Sequence, residues 1–118
     1  MLPFKYEIRE YNDEQGRSPF ASWFHGLDAT AAARVDRYIR RIENGNFGNS
    51  KPVGGGVQEL KIDFGPGYRV YYGRDGQRLV ILLAGGSKRK QSADIDTAKK
   101  RWETYRKEKE SHGTDTGI

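Results

Sequence analysis

Residues 57–86 read VQELKIDFGPGYRVYYGRDGQRLVILLAGG. Three apolar-rich runs, 57–64, 68–73 and 79–86, are separated by Gly65-Pro66-Gly67 and by Asp75-Gly76, turn signals that join neighbouring antiparallel strands. An antiparallel meander is predicted. The run LVILLA carries apolar side chains on both parities, which places it inside the sheet with both faces at least partly covered. Along the first run Leu60, Ile62 and Phe64 form the core set, leaving Glu59, Lys61 and Asp63 opposite; along the second, Tyr68, Val70 and Tyr72 stand against Arg69 and Tyr71. If each strand buries its more apolar set, Glu59, Lys61, Arg69 and Tyr71 share an uncovered face.

Upstream, residues 4–11 (FKYEIREY) alternate as a strand, with Phe4, Tyr6 and Ile8 on one side. Ser18-Pro19 reads as an N-cap followed by proline at the first helical position, opening a short helix that carries Phe20, Trp23, Phe24 and Leu27. Asp28 caps a second helix whose apolar positions Ala31, Val35, Tyr38, Ile39 and Ile42 recur at helical spacing until Gly45 stops it. Its other side bears Arg34, Arg37, Arg40 and Arg41, which is either an ordinary solvated face or an edge that meets phosphate. Residues 44–56 (NGNFGNSKPVGGG) read as loop; they lack the order of a phosphate-binding loop, so a nucleotide cradle is not expected. Downstream, a polar turn containing SKRKQS leads into a helix from about Ala93 to Glu108 with the stripe Ile95, Ala98, Trp102 and Tyr105. The order is β-α-α-β-β-β-α, an α+β fold with a mostly antiparallel sheet and helices on one face. Residues 1–110 form one domain and residues 111–118 a polar, frayed tail.

The chain has 118 residues, no cysteine and a net charge of +5. Up to Tyr68 basic and acidic residues cancel at 9 each, whereas Arg69–Ile118 holds 12 basic and 7 acidic, so the excess belongs to the second half. Such a field draws in polyanions. Without cysteine there is no disulfide framework, thiolate nucleophile or cysteine-based zinc site, and His25 and His112 lie far apart, so no metal and no cofactor is expected. The N-terminus lacks a signal-peptide pattern and no run approaches a membrane span, which gives a cytoplasmic location and no membrane partner by default.

The chemistry open to this residue set without metal is attack by a 2′-hydroxyl on the adjacent phosphate, which requires RNA. A base must take the 2′ proton, cations must oppose the charge on the phosphorane, and a donor must protonate the leaving 5′ oxygen. Arg69 suits bidentate contact with phosphate and Lys61 a compact charge. Glu59 is the in-sheet proton acceptor, with Asp94 a second option beside the basic turn. Tyr71 can stack on a base or lend its hydroxyl. Lys88, Arg89 and Lys90 directly follow the central strand and are candidate RNA contacts, as is Lys51. The plainer alternative is a cross-strand salt-bridge network without substrate, in which Arg69 pairs only with Glu59.

Three long pieces, FASWFHGLDATAAARVDRYIRRIENGNFG, KPVGGGVQELKIDFGPGYRVYYGRDG and LVILLAGGSKRKQSADIDTAKKRW, span residues 20–102 in order. They resemble the RelE/ParE superfamily of bacterial toxins, specifically its HigB-like group of addiction module killer proteins and phage-derived Gp49-like proteins. The resemblance implies the toxin of a type II toxin-antitoxin system, neutralised by a cognate antitoxin with a helix-turn-helix DNA-binding domain. It further implies a ribosome-dependent endoribonuclease acting on mRNA, or, from the ParE-like branch, a non-catalytic inhibitor of DNA gyrase. On this chain the arginine of the GYR motif is Arg69, the basic residue of the preceding strand is Lys61, and the basic turn is Lys88 and Arg89. Ribosome-dependent relatives often carry a tyrosine near the start of the last helix; here that position reads Ser92, Ala93, Asp94, Ile95, and the phenol is missing.

Overall fold

The computed structural model describes residues 5–116, with side chains described through residue 110. In chain order it contains β1 (Glu7–Glu10), α1 (Pro19–His25), α2 (Ala29–Glu43), β2 (Ser50–Gly54), β3 (Val57–Ile62), β4 (Tyr68–Asp75), β5 (Leu79–Ser87), a 3-10 turn (Lys88–Lys90) and α3 (Gln91–Thr116). The five strands make one sheet in the order β1-β5-β4-β3-β2; β2 to β5 are successively antiparallel, and β1 runs parallel to β5. The α+β class and the meander are as the sequence predicts, and β5 lies inside the sheet.

Local signals set the elements. Ser18 Oγ accepts the Ala21 N–H at 3.0 Å to open α1, and Asp28 Oδ1 accepts the Ala31 N–H at 2.8 Å to open α2, each cap stabilising its helix by about 1 kcal/mol. The Asp75-Gly76 turn places Gly76 at φ +72°, a conformation that costs glycine nothing.

Three expectations need correction. The stretch read as loop contains β2, which pairs Ser50 with Leu60 and Lys51 with Glu59. With Pro52 inside and a register shift between Pro52 and Gly54, it carries no alternating apolar signal; as an edge strand it tolerates the proline. Helices also cover both faces of the sheet, not one. On one side Phe20, Val35, Ile39 and Ile42 pack on Leu60, Ile62, Val70, Tyr72, Val80 and Leu82. On the other, Ala98 and Trp102 of α3 pack on Val57, Tyr71, Ile81, Leu83 and Ala84. A strand apolar on both parities demands cover on both sides, and α3 supplies the second layer. Glycines admit it closely: a Cβ at Gly73 would stand 2.4 Å from the Trp102 ring. Finally, α3 runs on to Thr116 beyond the expected end near Glu108. Phe4, residues 117–118 and the side chains of residues 111–116, His112 included, lie outside what the structure describes, so of the tail expected over 111–118 only the helical backbone of 111–116 is seen.

Candidate functional site

In the β3–β4 ladder Glu59 stands opposite Tyr71 and Lys61 opposite Arg69, so the four residues share one face, as expected. That face is not open. It is the face on which α3 packs, and Glu59, Arg69 and Tyr71 are only 2%, 5% and 0% exposed. Lys61 remains exposed. Tyr71, expected to stack on a base, presents no free ring.

Glu59 is the hub. Its Oε2 accepts a hydrogen bond from Gln91 Nε2 at 2.8 Å, Arg69 Nε lies 3.8 Å from the same oxygen, and Lys51 Nζ lies 3.9 Å from Oε1. Arg69 also turns back on its own hairpin, where Nη1 donates to the Gly67 carbonyl at 2.7 Å. The Arg69–Glu59 contact is therefore a buried diagonal pair, not the exposed pair that cross-strand register suggests.

Three buried side-chain atoms among the described residues lack a hydrogen-bond partner: Arg69 Nε, the Tyr71 hydroxyl and Asp94 Oδ2. All belong to this cluster. Burial, followed by the charge of Glu59, pushes the Tyr71 phenol well above its ordinary pKa; the hydroxyl feels Glu59 without meeting hydrogen-bond geometry to it. It stays a neutral phenol. Asp94, in the first turn of α3, presses its Oδ2 onto Gly86, where a Cβ would come within 2.0 Å. Gly86 is the ladder partner of Arg69, so Asp94 closes the cluster from above. Burial raises the Asp94 pKa against the opposing pull of Lys90 and Arg101. A carboxyl held toward its neutral form beside cations is a candidate proton donor.

Around this interior lie exposed cations. Lys51, its side chain 67% exposed, and Lys61 stand on the sheet, while Lys88, Arg89 and Lys90 form the 3-10 turn between β5 and α3. Among the described residues no group of three or more His, Cys, Asp or Glu gathers as a metal site. The arrangement can attract a phosphodiester at its rim and oppose negative charge from within.

Comparison with known proteins bears on this same region. The family model for "Phage derived protein Gp49-like (DUF891)" matches residues 22–103. The chain belongs to this Gp49-like family. An uncharacterized protein of Haemophilus influenzae is 47% identical to it over 81 residues, covering 68% of this chain and 82% of the relative. The Gp49-like match spans α2, β2 to β5 and the first half of α3, and thus every residue of the cluster and its rim.

Two members of the candidate site escaped the sequence reading. Gln91 carries neither charge nor ring, and nothing local marks its reach to Glu59. Gly86 had a signal in the pair Gly85-Gly86: adjacent strand residues face opposite ways, and a Cβ at Gly85 would meet the Trp23 ring at 2.1 Å while one at Gly86 would meet Asp94.

Proposed function

We propose that this Gp49-like chain is the toxin of a type II toxin-antitoxin pair, of the HigB-like branch of the RelE/ParE superfamily, and acts as a ribosome-dependent endoribonuclease on mRNA. The observation that supports the reading most is the ring of exposed cations, Lys51, Lys61, Lys88, Arg89 and Lys90, around the buried Arg69–Glu59 pair and the half-buried Asp94. The rim cations hold the backbone of the message. Asp94, protonated more readily than an ordinary aspartate, donates to the leaving 5′ oxygen, and Glu59 accepts the 2′ proton. Arg69 opposes the charge that develops on the phosphorane.

Burial of Glu59 and Arg69 adds a condition. The Lys88–Lys90 turn lies close above Gly67, and Gln91 ties the start of α3 to Glu59, so the cluster meets substrate only after this segment shifts. The ribosome supplies that shift and aligns the 2′-hydroxyl, and free RNA is cut poorly. Among the described residues no helix is long and apolar enough to cross a membrane. The partners on this reading are the ribosome with its message and a cognate antitoxin with a helix-turn-helix domain.

The same burial favours a second reading, a non-catalytic toxin that inhibits gyrase or another protein through its basic surface. Expression without the antitoxin separates the two. The endoribonuclease arrests translation and leaves messages with new, codon-phased 5′ ends; intact messages in arrested cells, with lost supercoiling by purified gyrase, support the alternative.

A further inference from the structure

The four arginines of α2 share one side of the helix but differ in how their charge is matched. Arg40 is balanced by carboxylates, at 3.4 Å from Asp36 and 2.7 Å from Glu43. Beside it on the same helix, Arg34, Arg37 and Arg41, at spacings of three and four residues, line one stripe, and among the described residues none has an acidic partner within ion-pair distance. Two of the three guanidiniums are braced by aromatic rings: Arg34 lies 4.6 Å over Phe64 and Arg41 4.7 Å over Tyr38. Beyond the end of α2, Arg74 is held likewise, 4.5 Å over Phe47 and donating to the Tyr6 hydroxyl at 2.9 Å.

We propose that Arg34, Arg37 and Arg41 form a second RNA-backbone surface, over which a strand leaving the candidate site continues. This rests on the reading of the chain as an RNA-acting toxin. The path between the two surfaces is one hairpin. Phe64, which braces Arg34, accepts the Gly67 N–H at 3.1 Å, and the Gly67 carbonyl holds Arg69. The turn thus carries Arg69 on one side of the sheet and abuts the arginine stripe on the other. From Arg34 to Arg41 the helix rises about 10 Å, enough to meet successive phosphates of one strand. Ring-braced guanidiniums have already lost much of their freedom and keep their edge N–H groups for phosphate oxygens, so little order remains to be imposed on binding. Arg40, whose charge Asp36 and Glu43 already match, adds least to such a surface.

The test measures binding of a fluorescein-labelled 30-nucleotide oligouridylate as a function of salt. The comparison is between the parent chain, the triple variant Arg34→Gln/Arg37→Gln/Arg41→Gln, and Arg40→Gln. The triple variant should bind at least about tenfold more weakly, with the slope of log K against log salt flatter by about 2, since each lost single-strand phosphate contact removes about 0.7. Arg40→Gln should bind like the parent. Should the triple variant melt early, Arg37→Gln, exposed and unstacked, should alone flatten the slope by about 0.7. Parent-like binding and slope in a folded triple variant overturn the inference and leave the proposed function intact, as does a triple variant that loses only a copurifying protein. If the parent binds no RNA and cuts no message, the proposed function itself falls.

Discussion

Replacing Arg69 by methionine, which keeps length and removes charge, should be costly for a reason visible only in three dimensions. As an exposed cross-strand pair, Arg69 and Glu59 would contribute about 0–1 kcal/mol. In the fold Glu59 is 2% exposed, and without Arg69 its carboxylate keeps only the Gln91 amide at 2.8 Å and the solvated Lys51 at 3.9 Å. Breaking a buried pair by removing one member costs about 3–5 kcal/mol, because a charge is left uncompensated. Lys51 can lean in, which favours the lower end, about 3 kcal/mol, or a fall in Tm of about 12 °C for a domain of this size. The double variant Glu59→Gln/Arg69→Met carries no buried charge and should return to within about 1 kcal/mol of the parent, so the cycle should show coupling of at least about 2 kcal/mol, larger by whatever Glu59→Gln alone costs. Urea and thermal unfolding of the parent, both single variants and the double variant measure this. A loss under 1 kcal/mol in Arg69→Met would refute the buried-pair reasoning.

Further outcomes follow from the other groups. Asp94 has a raised pKa in the folded state, so its contribution is most favourable below the unfolded value near 3.8 and is lost as pH rises through the folded pKa. Asp94→Asn should therefore melt higher than the parent at pH 7, with the gap closing below pH 4, and a gap that grows on acidification would contradict it. Asp75 has the opposite sign: bonds from Lys109 at 2.5 Å and the Tyr105 hydroxyl at 2.6 Å hold its pKa low. Asp75→Asn should lower Tm at pH 7 and match the parent once pH has fallen through the depressed pKa; equal melting at pH 7 would show that the contact holds nothing. Tyr71→Phe removes a buried hydroxyl without a partner and should leave stability unchanged or slightly improved in denaturant titrations, whereas a loss above about 1.5 kcal/mol would mean that the hydroxyl is bonded.

The meander and the shared face of Glu59, Lys61, Arg69 and Tyr71 were legible in the sequence because both rest on local rules: turn residues at fixed places, and a side-chain period of two. What α3 covers is not local. Its stripe of Ala98, Trp102 and Tyr105 announces an amphipathic helix without naming the face it takes, and that choice buried the cluster. The clue lay in the strands, where Tyr71, Ile81 and Leu83 form a second apolar set that needs a cover. β2 was hidden by Pro52 and its glycines, since an edge strand paired on one side can form without an apolar pattern. Gln91 was hidden because its partner is 32 residues away in sequence.

The central claim is that the cluster cuts RNA only when the ribosome presents it. Purified chain should be mixed with a defined message, naked or threaded through programmed ribosomes, and the 5′ ends mapped for the parent and for Lys61→Ala/Lys88→Ala, which strips exposed rim charges without touching the buried pair. Codon-phased cleavage on ribosomes, little on naked message, and a loss of about a hundredfold in the variant are the expected results. Intact message on the ribosome with folded parent protein, or equal cutting of naked RNA, would contradict the account.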